Sequence, residues 1–427
     1  MLTANIKFKN FLLKNNNLKI KKNLKLLLKQ KSTVLESLTP NYKYSFKKRL
    51  ILKFNKFKIV KLIGMGGSIL GTEAIYDFLK HKIKKKFIFF NNLELNLNIL
   101  KEKKDSINLI ISKSGNTLET IANANILIKK DDKNIFVTEN NKNYLRILAS
   151  KIKAEIVDHN NFIGGRYSVL SEVGMLPAEL MGLDVKKFKQ LNNLIKNRSF
   201  INCLTSNVAN TISLLNKNKC TSIILNYDEK SKNLFQWYQQ LIAESLGKKS
   251  KGILPVVSSM PKDNHSLMQL YLDGPKKSFY TFFHIFNKQS IKIKSKELFS
   301  KSKYLISKDL NKIIYSQKIA TENVFKRKKI PFRSFEIFNR DEKTLGELFT
   351  FFILETILLG RALEVNPFDQ PSVELIKILI KFFIHKKLQQ KTFLKEKKYL
   401  LEALKYLIEM KKLLVNYLLF LYLKQFC

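Results

Sequence analysis

The sequence predicts an α/β fold with two mainly parallel sheets, each covered by helices on both faces. Short runs of β-branched and aromatic residues alternate with longer helical patterns from about residue 57 onward. Alternation of strand-like runs with segments long enough for crossover helices is the rhythm of a parallel, doubly wound sheet. The runs fall into two sets that separate near residue 200, and a length of 427 residues accommodates two to three domains. We therefore expect two similar three-layer α-β-α sandwich domains of the flavodoxin-like type.

The first set of runs follows a Lys-rich N-terminal segment, residues 1–50, for which we expect helical or irregular packing against the first domain. The predicted strands of this set lie at 57–63, 86–90, 107–112, 134–139 and 154–158. Each is followed by a segment long enough for a crossover helix, which is the pattern of a doubly wound parallel sheet. These elements define a first domain over residues 51–200.

The second set of runs defines a second domain over residues 201–385. Its predicted strands lie at 221–227, 252–257, 279–286 and 331–338. A helical period from Thr344 to Leu363 predicts a long helix after the last strand. The Leu-rich residues 386–427 predict a helical C-terminal extension.

The positive charge of the chain is large, but its distribution argues against a nucleic-acid partner. Lys and Arg together number 78 against 34 Asp and Glu, which gives a formal net charge of +44. Only eight of the cations are Arg, and the Lys residues are spread over the whole chain instead of being concentrated on one element. We expect the charge to act mainly as a field that attracts small anionic ligands.

The remaining compositional features predict a cytoplasmic protein without a membrane segment. Three cysteines without CxxC spacing predict neither a disulfide framework nor a structural zinc site. The N-terminus lacks the apolar core and cleavage site of a signal peptide. The longest apolar run, at 413–423, is too short to cross a bilayer.

A glycine-rich loop, GMGGSILG at 64–71, follows the first predicted strand and leads into a helix. Exposed backbone N–H groups and the helix dipole favour a bound anion at such a turn, and Gly67 and Ser68 are the candidate contacts. The loop is neither a dinucleotide fingerprint, because Ile69 replaces the required glycine, nor a Walker A loop, because Thr72 replaces the required lysine. A tight strand-to-helix turn without a ligand would explain the loop equally well.

A second loop, SKSGNTLET at 112–120, strengthens the phosphate interpretation. Ser112, Ser114 and Thr117 supply hydroxyls and Lys113 supplies a cation, next to the start of a predicted helix. The alternative is a helix N-cap at Thr117 followed by a capping interaction of Glu119, and it is compatible with phosphate binding. Two such loops at the carboxyl ends of adjacent strands predict a ligand crevice.

Six blocks of the sequence, taken in order, resemble the phosphoglucose isomerase family, whose members are built from sugar-isomerase (SIS) domains. The blocks are GMGGSILG at 64–71, SKSGNTLET at 112–120, GGRYS at 164–168, QLIAESLGK at 240–248, DNHS at 263–266 with Gln269, and NPFDQPSVELIK at 366–377. The resemblance spans about residues 57 to 380. It implies reversible conversion of glucose 6-phosphate into fructose 6-phosphate through a cis-enediol, a reaction of glycolysis and gluconeogenesis.

The resemblance also implies roles for particular residues. Such a reaction needs one base that reaches two adjacent carbons, a cation beside the developing oxyanion, and a group that opens the sugar ring, and it needs no metal or redox cofactor. Glu244, on a helix predicted to begin near Phe235, is the implied base, and Arg166 is the implied cation. His265 and Lys377 are implied in ring opening, and Gln370 in hydrogen bonding near the phosphate or the sugar.

Two further expectations follow from the resemblance, and three alternatives stay open. The family's ring-opening histidine comes from the neighbouring subunit, so His265 implies a homodimer with composite sites. The sequence departs from the family pattern at Leu246, where asparagine is common. The alternatives are a dual isomerase that also accepts mannose 6-phosphate, which Gln370 disfavours, a non-catalytic SIS-type sensor of sugar phosphates, and a basic nucleic-acid binder.

Overall fold

Two five-stranded sheets organise the chain in the computed structural model. The structure describes residues 1–13, 15–30, 32–93, 105–287, 290–293, 300–373, 376–377, 379–380 and 383–384. The chain divides into two compact units, Met1–Asp369 and Gln370–Cys427, and both sheets belong to the first unit. The extension predicted at 386–427 lies outside the described residues.

The elements of the first unit are numbered in chain order. Those of its first half are β1 (Ile6–Lys9), α1 (Leu18–Lys29), α2 (Thr33–Glu36), α3 (Lys48–Phe54), β2 (Ile59–Gly64), α4 (Leu70–Phe78), β3 (Lys86–Phe90), β4 (Ser106–Ile111), α5 (Leu118–Leu127), β5 (Asn134–Glu139), α6 (Tyr144–Lys151), β6 (Glu155–His159), α7 (Glu172–Leu180) and α8 (Leu191–Leu194). Those of its second half are α9 (Arg198–Asn216), β7 (Thr221–Asn226), α10 (Lys232–Leu246), β8 (Leu254–Ser259), α11 (Met268–Asp273), β9 (Ser278–Ile285), α12 (Leu310–Arg327), β10 (Phe332–Ile337) and α13 (Glu342–Ala362).

The first sheet has the strand order β3-β2-β4-β5-β6, and all its neighbouring strands are parallel. The order reverses between β2 and β4, where Gly64 pairs in register with Ile111. In an open α/β sheet such a reversal leaves a crevice at the carboxyl ends of the two strands. The predicted strands of the first domain are confirmed, and the two loops singled out in the sequence both begin at this crevice.

The second sheet has the order β1-β10-β9-β7-β8; its strands β7 to β10 run parallel to one another, and the edge strand β1 is antiparallel to β10. Successive residues of β7 face opposite sides, as strand geometry requires. Ile223 and Leu225 pack in a cluster with Phe325 of α12, whereas Ile224 belongs to the main core. The four strands predicted for the second domain are confirmed, and so is the doubly covered α/β class.

Helices α4, α10 and α13 form the shared core of the first unit. Helix α10 packs against both α4 and α13. Residues 344–360 of α13 are all buried, and its bounds confirm the helix predicted from Thr344 to Leu363. Helix α10 therefore contacts elements from both halves of the first unit. No helix in the part of the chain that the structure describes is long and apolar enough to span a membrane.

The N-terminal segment differs from the expectation. Strand β1 was not predicted, and it pairs antiparallel with β10, with Ile6 opposite Ile337. Helix α1 packs against α9 and α13, so the expected packing of this segment on the first domain is wrong for its first thirty residues. Farther along, Tyr42 donates a hydrogen bond to Glu172 Oε1 at 2.9 Å, which ties the end of the segment to α7.

A buried histidine lies near the carboxyl end of β9. His284 is 1% exposed, and among the residues that the structure describes neither of its ring nitrogens finds a hydrogen-bond partner. Burial lowers its pKa to about 4, and the positive charge of Lys318 acts in the same direction, while Asp228 and Glu336 oppose the shift. His284 is therefore neutral in the folded protein near neutral pH.

Candidate active site

The candidate base, Glu244, lies in the last turn of α10. Its side chain is 29% exposed, whereas the neighbouring Leu241 and Ser245 are buried in the core. Gln240, one turn earlier on the same face, donates a hydrogen bond from Nε2 to Glu244 Oε1 at 2.8 Å. Helix α10 begins three residues before the predicted start at Phe235, which leaves the position of Glu244 on it unchanged. The carboxylate is therefore both accessible and oriented.

Arg166 lies directly beside this carboxylate. It belongs to a 3-10 helix, Gly165–Leu170, and its side chain is 2% exposed. Its Nη1 donates to Glu244 Oε2 at 3.1 Å, and its Nε donates to Ser245 Oγ at 2.8 Å. A buried guanidinium that pairs with a partly exposed carboxylate places a permanent positive charge at the edge of the crevice.

The far side of the Arg166 guanidinium is anchored to the backbone. Its Nη2 donates to the carbonyl oxygens of Pro367 at 2.8 Å and Asp369 at 2.9 Å. Lys248 holds the same turn through an ion pair with Asp369 at 2.8 Å. The hydrogen bond from Lys248 and the positive charge of Lys248 lower the pKa of the Asp369 carboxyl. The slight burial of Asp369 acts in the opposite direction. These contacts fix the plane of the guanidinium.

Tyr167 and Trp237 complete the surroundings of Arg166. The Tyr167 hydroxyl donates to Pro367 O at 3.0 Å and is hydrogen-bonded to Ser245 Oγ at 2.9 Å. Burial raises the pKa of the Tyr167 phenol, so it remains protonated. Trp237 Nε1 donates to the backbone oxygen of Arg166 at 3.2 Å. Both the backbone and the side chain of Arg166 are thus tied to the core.

The glycine-rich loop packs directly on the Arg166 turn. A Cβ atom on Gly67 would stand 2.5 Å from the Arg166 amide nitrogen and closer still to the carbonyl carbon of Gly165, so only glycine fits there. Gly66 has a positive φ of 53°, and a Cβ on it would meet Gln240 Nε2 at 2.9 Å. The loop therefore touches both the cation and the amide that orients the base. Ser68, the next candidate, is half-buried at the end of the same 3-10 turn, Gly66–Ser68.

The second predicted loop lies at the end of β4, next to the first. Ser112 Oγ and Thr117 Oγ1 are hydrogen-bonded to each other at 3.0 Å. Thr117 precedes α5 at the N-cap position, but its side chain does not cap the helix. The capping interpretation is therefore wrong for the Thr117 hydroxyl, which pairs with Ser112 at the helix N-terminus instead. Gly115, at φ 63°, packs against the Asn143 side chain and shapes the turn.

The other two candidates of this loop have different surroundings. Ser114 is exposed, and its hydroxyl accepts a hydrogen bond from the amide of Asn116 at 3.3 Å. Lys113 Nζ donates to the backbone oxygen of Asn161 at 2.9 Å and lies 3.4 Å from Glu139 Oε1. Lys113 therefore has protein partners of its own, and its charge is partly balanced by a carboxylate.

His265 lies on the segment that follows β8, outside the hydrogen-bonded cluster around Glu244. It is exposed and ends a 3-10 turn, Lys262–His265, which follows β8. Asp263 fixes this turn by accepting hydrogen bonds from the Ser258 hydroxyl at 2.9 Å and the Ser259 amide at 2.7 Å. Within the described residues, no hydrogen bond joins His265 to Glu244 or Arg166.

Gln370 and Lys377 belong to the second unit, Gln370–Cys427. Gln370 is exposed at the start of that unit, and Lys377 is exposed within its first helical residues. The sequence block that carries them therefore continues from the Arg166-binding turn into the second unit.

Three residues of the site had no predicted role. Gln240 orients Glu244, and Ser245 and Tyr167 hold Arg166. A spacing of four residues on a helix was the available signal for Gln240. Ser245 and Tyr167 meet only in the folded chain, so no local pattern marks them.

The arrangement is suited to moving a proton on a small phosphorylated molecule. An accessible carboxylate stands beside a buried guanidinium, and two loops at adjoining strand ends present glycine backbone and hydroxyl groups. No group of three or more His, Cys, Asp and Glu within the described ranges is arranged to hold a metal ion.

Comparison with protein families gives a match over most of the chain. The family model described as phosphoglucose isomerase matches residues 52–399. The chain is 33% identical over 342 residues to a glucose-6-phosphate isomerase from Methanocaldococcus jannaschii, and the match covers 75% of this chain and 82% of the relative. It is 35% identical over 349 residues to a glucose-6-phosphate isomerase from Mycoplasmopsis pulmonis, with 75% and 81% covered.

Solved structures share the fold. A hypothetical protein from Thermus thermophilus superposes with a TM-score of 0.75 at 23% identity, over 86% of this chain and 94% of that one. A glucose-6-phosphate isomerase from Chlamydia trachomatis superposes with a TM-score of 0.67 at 18% identity, over 84% and 75%. At these identities the likeness concerns the architecture.

Proposed function

The chain belongs to the phosphoglucose isomerase family, and from this membership we propose how its residues convert glucose 6-phosphate into fructose 6-phosphate and back. The enzyme is an aldose–ketose isomerase. The observation that carries the residue roles is the contact between the accessible Glu244 carboxylate and the buried Arg166 guanidinium at 3.1 Å. The relatives do not favour the sensor, the nucleic-acid binder or the dual isomerase.

Glu244 is the proposed proton carrier. In the open-chain aldose its carboxylate removes the proton from C2, while the electrons of that C–H bond form the C1–C2 double bond and the carbonyl oxygen at C1 gains a proton. The resulting cis-enediol accepts the same proton at C1, while the hydroxyl at C2 loses its proton and the carbonyl is re-formed there. The proton lost by the C2 oxygen balances the one gained by the C1 oxygen. Gln240 restrains the carboxylate through Oε1, which supports a single base that serves both carbons.

Arg166 is the proposed stabiliser of the enediol oxygens. Its guanidinium is held before substrate arrives, so it needs little reorganisation when negative charge develops. Its partner Glu244 becomes neutral when it takes up the proton, and the positive charge of Arg166 then acts mainly on the enediol. The ion pair therefore weakens at the step in which the cation is most needed.

The phosphate is proposed to bind where the two loops meet. Ser112 and Thr117 supply hydroxyls at the N-terminus of α5, and Gly67 brings backbone close to the crevice. We assign Ser68, Ser114 and Lys113 to the same ligand group by the matching motif. Lys113 contributes positive charge at this edge, and the nearby Glu139 carboxylate partly balances that charge.

The remaining roles rest on the family motifs. We propose that His265 and Lys377 open the sugar ring, that Gln370 hydrogen-bonds the substrate, and that a homodimer brings His265 to the neighbouring subunit's site. The exposure of His265 supports this arrangement. We also propose a cytoplasmic location and the division into SIS-type domains at 51–200 and 201–385, with an N-terminal segment at 1–50 and an extension at 386–427.

The test of the base is Glu244→Gln. We expect kcat to fall by about 10³-fold or more, because the amide cannot accept the proton, while inorganic phosphate still binds. Glu229→Gln, which changes an exposed carboxylate just before α10, is the matched control and should keep full activity. Unchanged turnover in Glu244→Gln would refute the assignment. Parallel assays on mannose 6-phosphate measure the substrate range.

A further inference from the structure

We propose that Ser245 and Tyr167 act together as positioning residues that hold the Arg166 guanidinium in the orientation needed for the enediolate. This inference rests on the proposed function and concerns residues that have no role in it. Neither side chain reaches the crevice: Ser245 and Tyr167 are both completely buried. Their effect on the reaction must therefore pass through Arg166.

The hydrogen bonds around Ser245 have a single consistent direction. Arg166 Nε can only donate, so Ser245 Oγ accepts from it at 2.8 Å. Tyr167 has one hydroxyl proton, which it donates to Pro367 O at 3.0 Å. The 2.9 Å bond between the two hydroxyls must then run from Ser245 to Tyr167. Each hydroxyl thus has both a donor and an acceptor role.

These bonds close into a ring. Arg166 donates from Nε to Ser245, Ser245 donates to Tyr167, and Tyr167 donates to Pro367 O, to which Arg166 also donates from Nη2 at 2.8 Å. A ring of this kind fixes the rotation of the guanidinium about its long axis. The Nη1 donor is consequently directed at Glu244 Oε2.

The position of Ser245 next to Glu244 adds a second constraint. Adjacent residues on a helix point about 100° apart. Glu244 therefore faces the crevice while Ser245 faces the core, where it is fully buried. A single turn of α10 sets both the proton carrier and the orientation of its cation, so that the two groups move together if the helix shifts.

The phenol of Tyr167 matches this role in its chemistry. Burial raises its pKa and keeps the hydroxyl proton in place. Its ring also packs against Phe368, with 5.5 Å between the ring centroids, which restrains the side chain beside the turn that binds Arg166. The hydroxyl is therefore a fixed acceptor for Ser245.

The experiment compares Tyr167→Phe and Ser245→Ala with the unsubstituted enzyme. We expect each to lower kcat by about 10-fold to 100-fold, with KM for fructose 6-phosphate within about threefold, because misplacement of a catalytic group chiefly affects the transition state. The double variant should lose little more than either single one, since both act through one ring. Thermal melts establish that the variants are folded.

A binding measurement separates positioning from general loosening of the fold. The probes are 5-phosphoarabinonate, whose carboxylate copies the enediolate charge, and glucitol 6-phosphate, which has the phosphate but no such charge. Both variants should bind the first at least about tenfold more weakly and the second almost unchanged. Tyr227→Phe, which removes a buried hydroxyl bonded to Thr321 at 3.2 Å, is the control and should alter neither.

Two results would overturn the proposal. One is a kcat in both variants equal to that of Tyr227→Phe, and the other is equal weakening of both ligands. Both leave the proposed function intact, provided that the unsubstituted enzyme isomerises glucose 6-phosphate. If the unsubstituted enzyme does not isomerise glucose 6-phosphate, the proposed function itself fails. Failure of the positioning proposal is thus distinguished from failure of the proposed function.

Discussion

Replacing Arg166 with lysine keeps the positive charge and removes the planar set of donors. Arg166 uses three nitrogens in three directions, toward Ser245, toward Glu244, and toward the carbonyls of Pro367 and Asp369. An ammonium group has one nitrogen, so it reaches one of these directions only. The substitution therefore separates the role of charge from the role of geometry.

The size of the effect follows from these contacts. With one direction kept, the other two lose their donor, and at about 1–3 kcal/mol for each direction left without a hydrogen bond we expect the free energy of unfolding to fall by about 2–6 kcal/mol. In the reaction, loss of one fixed donor beside the developing oxyanion costs about 10²-fold to 10³-fold in kcat. KM should change much less, because the phosphate loops are untouched.

Two measurements check this prediction for Arg166→Lys. Initial rates of glucose 6-phosphate formation from fructose 6-phosphate, coupled to a glucose-6-phosphate dehydrogenase, give kcat and KM, and urea unfolding gives the stability. Arg361→Lys is the matched control, because Arg361 is a partly exposed arginine in the last turn of α13. A kcat for Arg166→Lys within about threefold of the unsubstituted value would refute the reasoning, since charge alone would then be sufficient.

Two further predictions concern the loop packing and the response to acid. Gly67→Ala should lower kcat/KM by at least about 100-fold, because its methyl group would stand 2.5 Å from the Arg166 amide nitrogen. Gly164→Ala is the control, because its methyl group meets only an ordinary contact at 3.7 Å. Equal kcat/KM values in the two variants would contradict this prediction. His284 has a pKa of about 4 when folded against 6.5 ordinarily, so between these values the unfolded chain binds the extra proton and stability falls as the pH falls. In urea unfolding, His284→Phe should reduce the slope of unfolding free energy against pH by about 1.4 kcal/mol per pH unit. The control, His81→Phe at an exposed site, should reduce that slope by less. Identical slopes in the two variants would argue against the assignment.

Much of the fold was predictable because its strands are short runs rich in β-branched and aromatic residues that alternate with helical segments. All nine strands of the predicted sets are present. Strand β1 was not predicted because it has only four residues, two of them lysines within a Lys-rich segment. Its partner β10 is distant in the sequence, and local pattern carries no information about such a pairing.

Some residues of the site were predictable from the sequence and others were not. Glu244 and Arg166 lie together as the resemblance implied, although 78 positions separate them in the chain. The roles of Ser245 and Tyr167 were not accessible, because a serine and a tyrosine become a hydrogen-bonded ring only when two distant segments meet. The surroundings of Lys113 were also not foreseen, since its partner Glu139 lies on the next strand.

The pairing of β1 with β10 has a consequence for biosynthesis. Ile6 leaves the ribosome early, and its partner Ile337 emerges only after both halves of the first unit have been translated. The nascent chain must therefore carry an unpaired strand and helix α1 without their final partners while the first sheet forms. Contacts of such long sequence separation close late. The second sheet is therefore completed only after β10 has emerged, so folding of the first unit cannot finish before then.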